Sequence, residues 1–173
     1  MRARDLALEI GTSEAELLGS RTSQEIIRLE GDWAELIRSL PSLGSVMVLT
    51  RNEDCVHEKH GEFANISIGP GHGIVLNRDI DLRLFMSHWH FGFAVSEVVA
   101  SGKRHSLQFF DIDGQAVHKV YLPKDSCLKP YRTLVKRFSA REQETHLKIH
   151  SLPIGRDNAP DEDLDRVKFL THW

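Results

Sequence analysis

Two histidines, an arginine and several acids fall together in Arg51-Asn52-Glu53-Asp54-Cys55-Val56-His57-Glu58-Lys59-His60-Gly61, directly after the apolar run Val46-Met47-Val48-Leu49. Neutral imidazole is the commonest side-chain metal ligand, so His57 and His60 are candidate ligands whose affinity should fall as pH drops through the histidine pKa. Arg51 adds a guanidinium able to grip a carboxylate with two parallel hydrogen bonds. If the stretch runs as a strand, alternation sends His57 and Glu58 to opposite faces, and His57 is then either a ligand or a histidine bathed in water.

Arg83 is the second candidate. In Ile80-Asp81-Leu82-Arg83-Leu84-Phe85 the charged residues alternate with apolar ones, which places Asp81 and Arg83 on one strand face. Arg83 there is either a pocket cation or the partner of Asp81 in a surface pair. In His88-Trp89-His90 the histidines would share a face of a strand, but zinc needs further ligands, so Trp89 reads as core and its neighbours as exposed. Gln108-Phe109-Phe110 reads as sheet core, since aromatic residues suit a pleated, buried surface. Lys119 and Tyr121 alternate with His118 and Val120, and the pattern leaves open which pair faces inward. Gly69-Pro70-Gly71-His72-Gly73 lacks the Lys-Ser/Thr ending of a phosphate loop. No Ser–His–Asp, paired-carboxylate or nucleophilic-cysteine arrangement is legible.

The elements that must hold these residues follow from periodicity. Leu6, Ala7 and Ile10 recur at helical spacing, Gly11 interrupts, and Ser13 with Glu16 makes a capping box ahead of Leu17-Leu18, so residues 3–19 read as two short helices. Such a pair resembles a helix-turn-helix, but Ser13, Glu14, Ala15 and Glu16 occupy the start of the second helix, where acids would repel phosphate. Residues 25–29 read as a strand, and Asp32 caps a helix through Leu40 that Pro41 and Gly44 end. Seven runs rich in branched or aromatic residues follow, over 46–50, 65–68, 74–76, 82–85, 91–99, 106–112 and 116–122. Asp113-Gly114 between the last two is a hairpin signal. Long helices do not alternate with these strands, so the expected fold is α+β: a large antiparallel sheet with short N-terminal helices and a helix packed on the sheet. That packed helix starts around Pro130 and buries Tyr131, Leu134, Val135 and Phe138. Residues 1–140 read as one domain. Residues 141–173 read as a linker, around Gly155 to Pro160, and a terminal helix begun by Asp161-Glu162-Asp163.

Bulk composition narrows the class. The chain has 173 residues, 40% of them hydrophobic and 27% charged, which suits one globular domain with a tail. A formal net charge of -3 gives no global attraction to nucleic acid or anionic lipid. Cys55 and Cys127 form no disulfide framework and read as reduced thiols. Without a signal-type apolar segment or a run of about 20 apolar residues, the expectation is a cytoplasmic protein that neither enters a membrane nor binds nucleic acid.

Asn52-Glu53, Val56-His57-Glu58, residues 80–85 and Ser106-Leu107-Gln108-Phe109-Phe110-Asp111, in that order, resemble the N-terminal repeat of HemS/ChuS-type haem-utilisation proteins. The resemblance covers most of residues 5–138. It implies cytoplasmic haem binding, with haem carried onward or opened oxidatively to release iron using an external reductant. It implies His57 as iron ligand, Arg83 at the haem pocket as propionate anchor or catalytic hydrogen-bond donor, and Arg51 and His60 as supporting cofactor contacts. Whether the chain is an enzyme stays open, since carrier and haem-degrading roles need the same pocket. Family members usually hold two repeats. Their better-known axial histidine lies just beyond the position of Trp173, which His172 does not match, so the chain is expected to be an N-terminal half. The implied partners are a second repeat or a second copy, an electron donor and a haem-accepting protein. A non-catalytic dimerising module, like the single-repeat ChuX/HutX type, is the alternative, and a DNA-binding regulator a more distant one.

Overall fold

The computed structural model describes residues 3–51, 55–150 and 166–172. Ser13 caps α2 (Glu14–Gly19) as its sequence predicts, its hydroxyl accepting from the Glu16 amide while the Glu16 carboxylate accepts from the Ser13 amide. Before it lies α1 (Ala3–Glu9), after it β1 (Ile26–Leu29), and then α3 (Trp33–Ser39), whose first amides donate to the Asp32 carboxylate. Then come β2 (Ser45–Arg51), β3 (Val56–Glu62), β4 (Ile66–Ile68), β5 (Gly73–Leu76), β6 (Asp81–Leu84), β7 (Phe91–Val99), β8 (Gly102–Phe110) and β9 (Ala116–Tyr121). Two helices, α4 (Leu128–Phe138) and α5 (Arg166–His172), complete the order.

Six strands form one antiparallel sheet in the order β1-β7-β8-β9-β2-β3, and β4-β5-β6 form a second, three-stranded one. The expected α+β class with a large antiparallel sheet is therefore present. The stretch after β2 that carries His57 and His60 is itself a strand, β3, at the edge of the large sheet. Its charged side chains blunt an edge that would otherwise invite pairing with another chain. Asp113-Gly114 turns β8 into β9, with Gly114 at a φ of 81°. A Cβ on Gly114 would fall 2.2 Å from the Ser13 hydroxyl, so only glycine lets α2 dock on this hairpin, where the Ala15 amide donates to the Gly114 carbonyl.

Alternation gives the large sheet two unlike faces. One packs Val46, Val48, Leu107, Phe109 and Val120 against α3, α4 and the second sheet, whose Val75, Leu82 and Leu84 point into the same core. Trp33 and Trp89 sit at its centre, the Trp33 indole donating to the Trp89 carbonyl at 2.7 Å. The other face buries a smaller cluster, Phe93, Val95 and Phe110, under Ala15 and Leu18 of α2. Beyond α4, Ala140 and Gln143 bond to the Arg28 backbone and Leu147 packs on the smaller cluster, so residues 139–150 lie along the domain. Among the described residues no helix is long and apolar enough to cross a membrane.

Candidate functional site

Because α1 and α2 cover only part of their face, they leave a cavity of about 930 Å³ over β9, β2 and β3. Its floor alternates apolar and charged residues. Met47, Leu49 and Arg51 come from β2, Glu58 and Val56 (the cross-strand partners of Leu49 and Arg51) from β3, and Lys119 and Tyr121 from β9. Lys119 is 7% exposed and forms an ion pair with Glu14 of α2, 7% exposed as well. Burial pulls the Lys119 ammonium below its ordinary pKa, Glu14 opposes that shift, and nearby Arg51 adds to it. Arg104 pairs with Glu97 at 2.8 Å and lies 4.9 Å from the Tyr121 ring centroid, and burial pushes the Tyr121 hydroxyl up to about 12. The Arg51 Nε is buried with no hydrogen-bond partner. A buried guanidinium donor without an acceptor is costly, and an anionic group entering the cavity would supply one.

The residues singled out by sequence fall in three places. Arg51 lines the cavity. His60 lies opposite Met47 in the β2–β3 register and so shares the cavity face, whereas His57 lies opposite Thr50 and points to the other face. Both histidines are exposed. Arg83 is on the outer face of the second sheet, 59% exposed, its guanidinium 2.6 Å from the Asp81 carboxylate. This is the surface pair weighed for it from sequence, and Arg83 is not among the residues lining the cavity over β2, β3 and β9. Trp89 is buried and His88 and His90 are exposed, as expected, with His88 in a short 3₁₀ turn rather than a strand. Asn52, Glu53 and Asp54 lie outside the described residues, as does the linker around residues 155–160. Among the described residues no three His, Cys, Asp or Glu side chains converge as a metal cluster. In α2, Glu14, Ala15, Leu17 and Leu18 are buried, so the face a recognition helix would present is spent on packing.

Sequence reasoning left His118 unplaced, and the structure buries it completely on the core face. Its ring stacks on Trp89 at 5.6 Å between centroids and meets Phe63 edge-on. Its Nδ1 is 3.4 Å from the Thr50 hydroxyl, and its Nε2 is buried without a partner. Burial lowers its pKa to about 4, so it is a neutral core aromatic at neutral pH. Period-two alternation does separate His118 and Val120 from Lys119 and Tyr121. It cannot say that Lys119 is buried as well as His118 and Val120, because that depends on α2 and the second sheet covering opposite faces.

The family model for the haemin-degrading HemS/ChuX domain matches residues 11–138. The hemin transport protein HemS of Yersinia enterocolitica is 40% identical over 166 residues, 94% of this chain and 48% of that protein. Holo-PhuS, a haem-binding protein from Pseudomonas aeruginosa, superposes with a TM-score of 0.92 at 39% identity over 100% of this chain and 51% of its own. ChuS, a haem oxygenase of E. coli, gives a TM-score of 0.79 at 33% identity over 97% of this chain and 53% of its own. The chain thus spans about half the length of the relatives it matches.

Proposed function

The chain belongs to the haemin-degrading HemS/ChuX domain family, and on that premise we propose that it binds haem in the cytoplasm, carrying it or supporting its oxidative opening. The observation that carries this reading is the whole-chain likeness to the holo haem-binding protein. The cavity supports it. Its volume of about 930 Å³ lies within the range of about 300–1,000 Å³ usual for small-molecule sites. Met47, Leu49, Val56, Val95 and Val99 offer apolar surface to a macrocycle, and the orphaned Arg51 Nε offers a donor to a propionate. Of the two β3 histidines, His60 is the one on this face, opposite the lining residue Met47 but outside the lining itself, and in this placement it would hold the iron. Bound haem would bring the redox chemistry, with electrons from a partner; the chain supplies binding and orientation.

A second placement uses the opposite face of β3, with His57 as iron ligand and Arg83 as the polar group beside it. It is favoured by the exposure of both side chains, which leaves His57 and Arg83 open to a ligand on that side. A dimerising module without catalytic activity would instead show concentration-dependent mass and no haem spectrum.

A haem titration followed by the Soret band, with His60→Ala and His57→Ala in parallel, tests the reading. Loss of saturable binding only in His60→Ala places haem in the cavity, and loss only in His57→Ala places it on the other face. Full binding in both variants removes the histidines and leaves haem binding standing. No saturable binding by the unsubstituted chain overturns the function.

A further inference from the structure

A second cleft lies outside both haem placements, on the core-side face of the large sheet where α4 crosses β1, β7 and β8. It encloses about 530 Å³, within the range of small-molecule sites. Ile27, Ala94 and Val135 make an apolar floor, and the Tyr131 and His105 rings, 5.4 Å apart between centroids, form one wall. The Tyr131 hydroxyl is occupied, donating to the Ser106 carbonyl at 3.2 Å beside the Ser96 side chain, so the ring supplies the wall's apolar surface.

Charge at the rim is one-sided. Lys103, Arg132 and Lys136 line the cleft against a single acid, Glu25, which Lys103 engages at 3.0 Å. Arg132 and Lys136 are four residues apart on α4, where side chains are neighbours, and neither takes part in an ion pair among the described residues. Ser96 and His105 are cross-strand partners in β7–β8, with Ser96 Oγ 2.8 Å from His105 Nδ1. That bond holds the ring in place and leaves Nε2 without a hydrogen bond among the described residues. Burial, then Lys103 and Arg132, hold the imidazole below its ordinary pKa.

We propose that this cleft binds a small aromatic carboxylate, separate from haem. The aromatic body lies on Ile27, Ala94 and Val135 with its face towards Tyr131 and His105. The carboxylate bridges Arg132 and Lys136, where the planar guanidinium gives two parallel hydrogen bonds. His105, held by Ser96, contributes its ring to the wall beside Tyr131.

The probe is 2-naphthoate, titrated into the full chain by calorimetry, with the uncharged 2-naphthamide as control. The expected result is saturable one-to-one binding of naphthoate, with shifts in the backbone amide resonances of Ala94, Ser96 and His105. Both the amide ligand and the exposed-site variant Arg132→Glu are expected to weaken binding by at least about tenfold, the equivalent of one charge-assisted hydrogen bond. Equal binding of acid and amide, an unchanged affinity in Arg132→Glu, or no saturation into the millimolar range would each overturn the proposal. Displacement of naphthoate by equimolar haem would also overturn it, by making this cleft part of a haem site. The haem titration stands apart, since neither β3 histidine touches this cleft.

Discussion

His118 and Lys119 are adjacent in β9, both buried and both titratable, and they sit in opposite kinds of interior. Lys119 faces the cavity, keeps an ion-pair partner in Glu14 and has Arg51, Arg104 and Tyr121 around it. His118 faces Trp89, Phe63 and Phe109, with a single long contact to a hydroxyl and one nitrogen unpaired. A buried charge must be paired, whereas a buried imidazole can shed its proton and pack as an aromatic ring. The same strand thus gives the sheet one face able to meet a charged ligand and one built to exclude water.

Removing a partner on the cavity face should show the largest effect. Glu14→Ala leaves the Lys119 ammonium buried and unpaired, and is expected to cost about 3–5 kcal/mol in denaturant unfolding. The double change Glu14→Leu with Lys119→Met should recover most of that loss; a double variant as unstable as the single one would show that packing of α2, and not charge, is at stake.

On the core face the effect is one of pH. Folded His118, with its pKa lowered from 6.5 to about 4, binds a proton less readily than the unfolded chain does. Its contribution is complete above about 6.5 and is lost as pH falls through the window down to about 4, to an extent of about 3 kcal/mol. Asp111, pushed up to about 7 by burial and then by its contact with Asp113, slopes the other way, losing stability as pH rises towards 7. Unfolding curves for Asp111→Asn against the same chain with His118→Leu should therefore isolate the acid limb. An unchanged limb in the leucine variant would remove His118 as its source.

The smallest effect is expected outside both interiors. Asp81→Asn breaks the exposed pair with Arg83 and should change stability by less than about 1 kcal/mol, since both side chains are more than half exposed. A loss well above that would mean Arg83 is held for a purpose other than this pair.

Much of the fold was legible because local rules carried it. The Ser13–Glu16 capping box, the Asp32 cap, the Asp113-Gly114 hairpin and the α4 stripe of Tyr131, Leu134, Val135 and Phe138 each follow from a few neighbouring residues. The site was legible in composition and only partly in placement. His57, His60, Arg51 and Arg83 stand out by type, yet the structure divides them between the two faces of the β2–β3 pair and the outside of a second sheet. Glu14 and Lys119 lie 105 residues apart, and no periodicity links an acid at the start of a short helix to a lysine in a distant strand.

By itself, the sequence determined which residues alternate along each strand, where helices begin and which turns reverse the chain, because those depend on contacts spanning a few residues. The tertiary structure decided which side of each strand is covered and by what, and so made Lys119 an ion-paired wall of a cavity and His118 a core ring. The physical reason is that burial sets the energy of a charged or polar group, and burial is a property of what packs across the sheet, not of the strand that carries the residue.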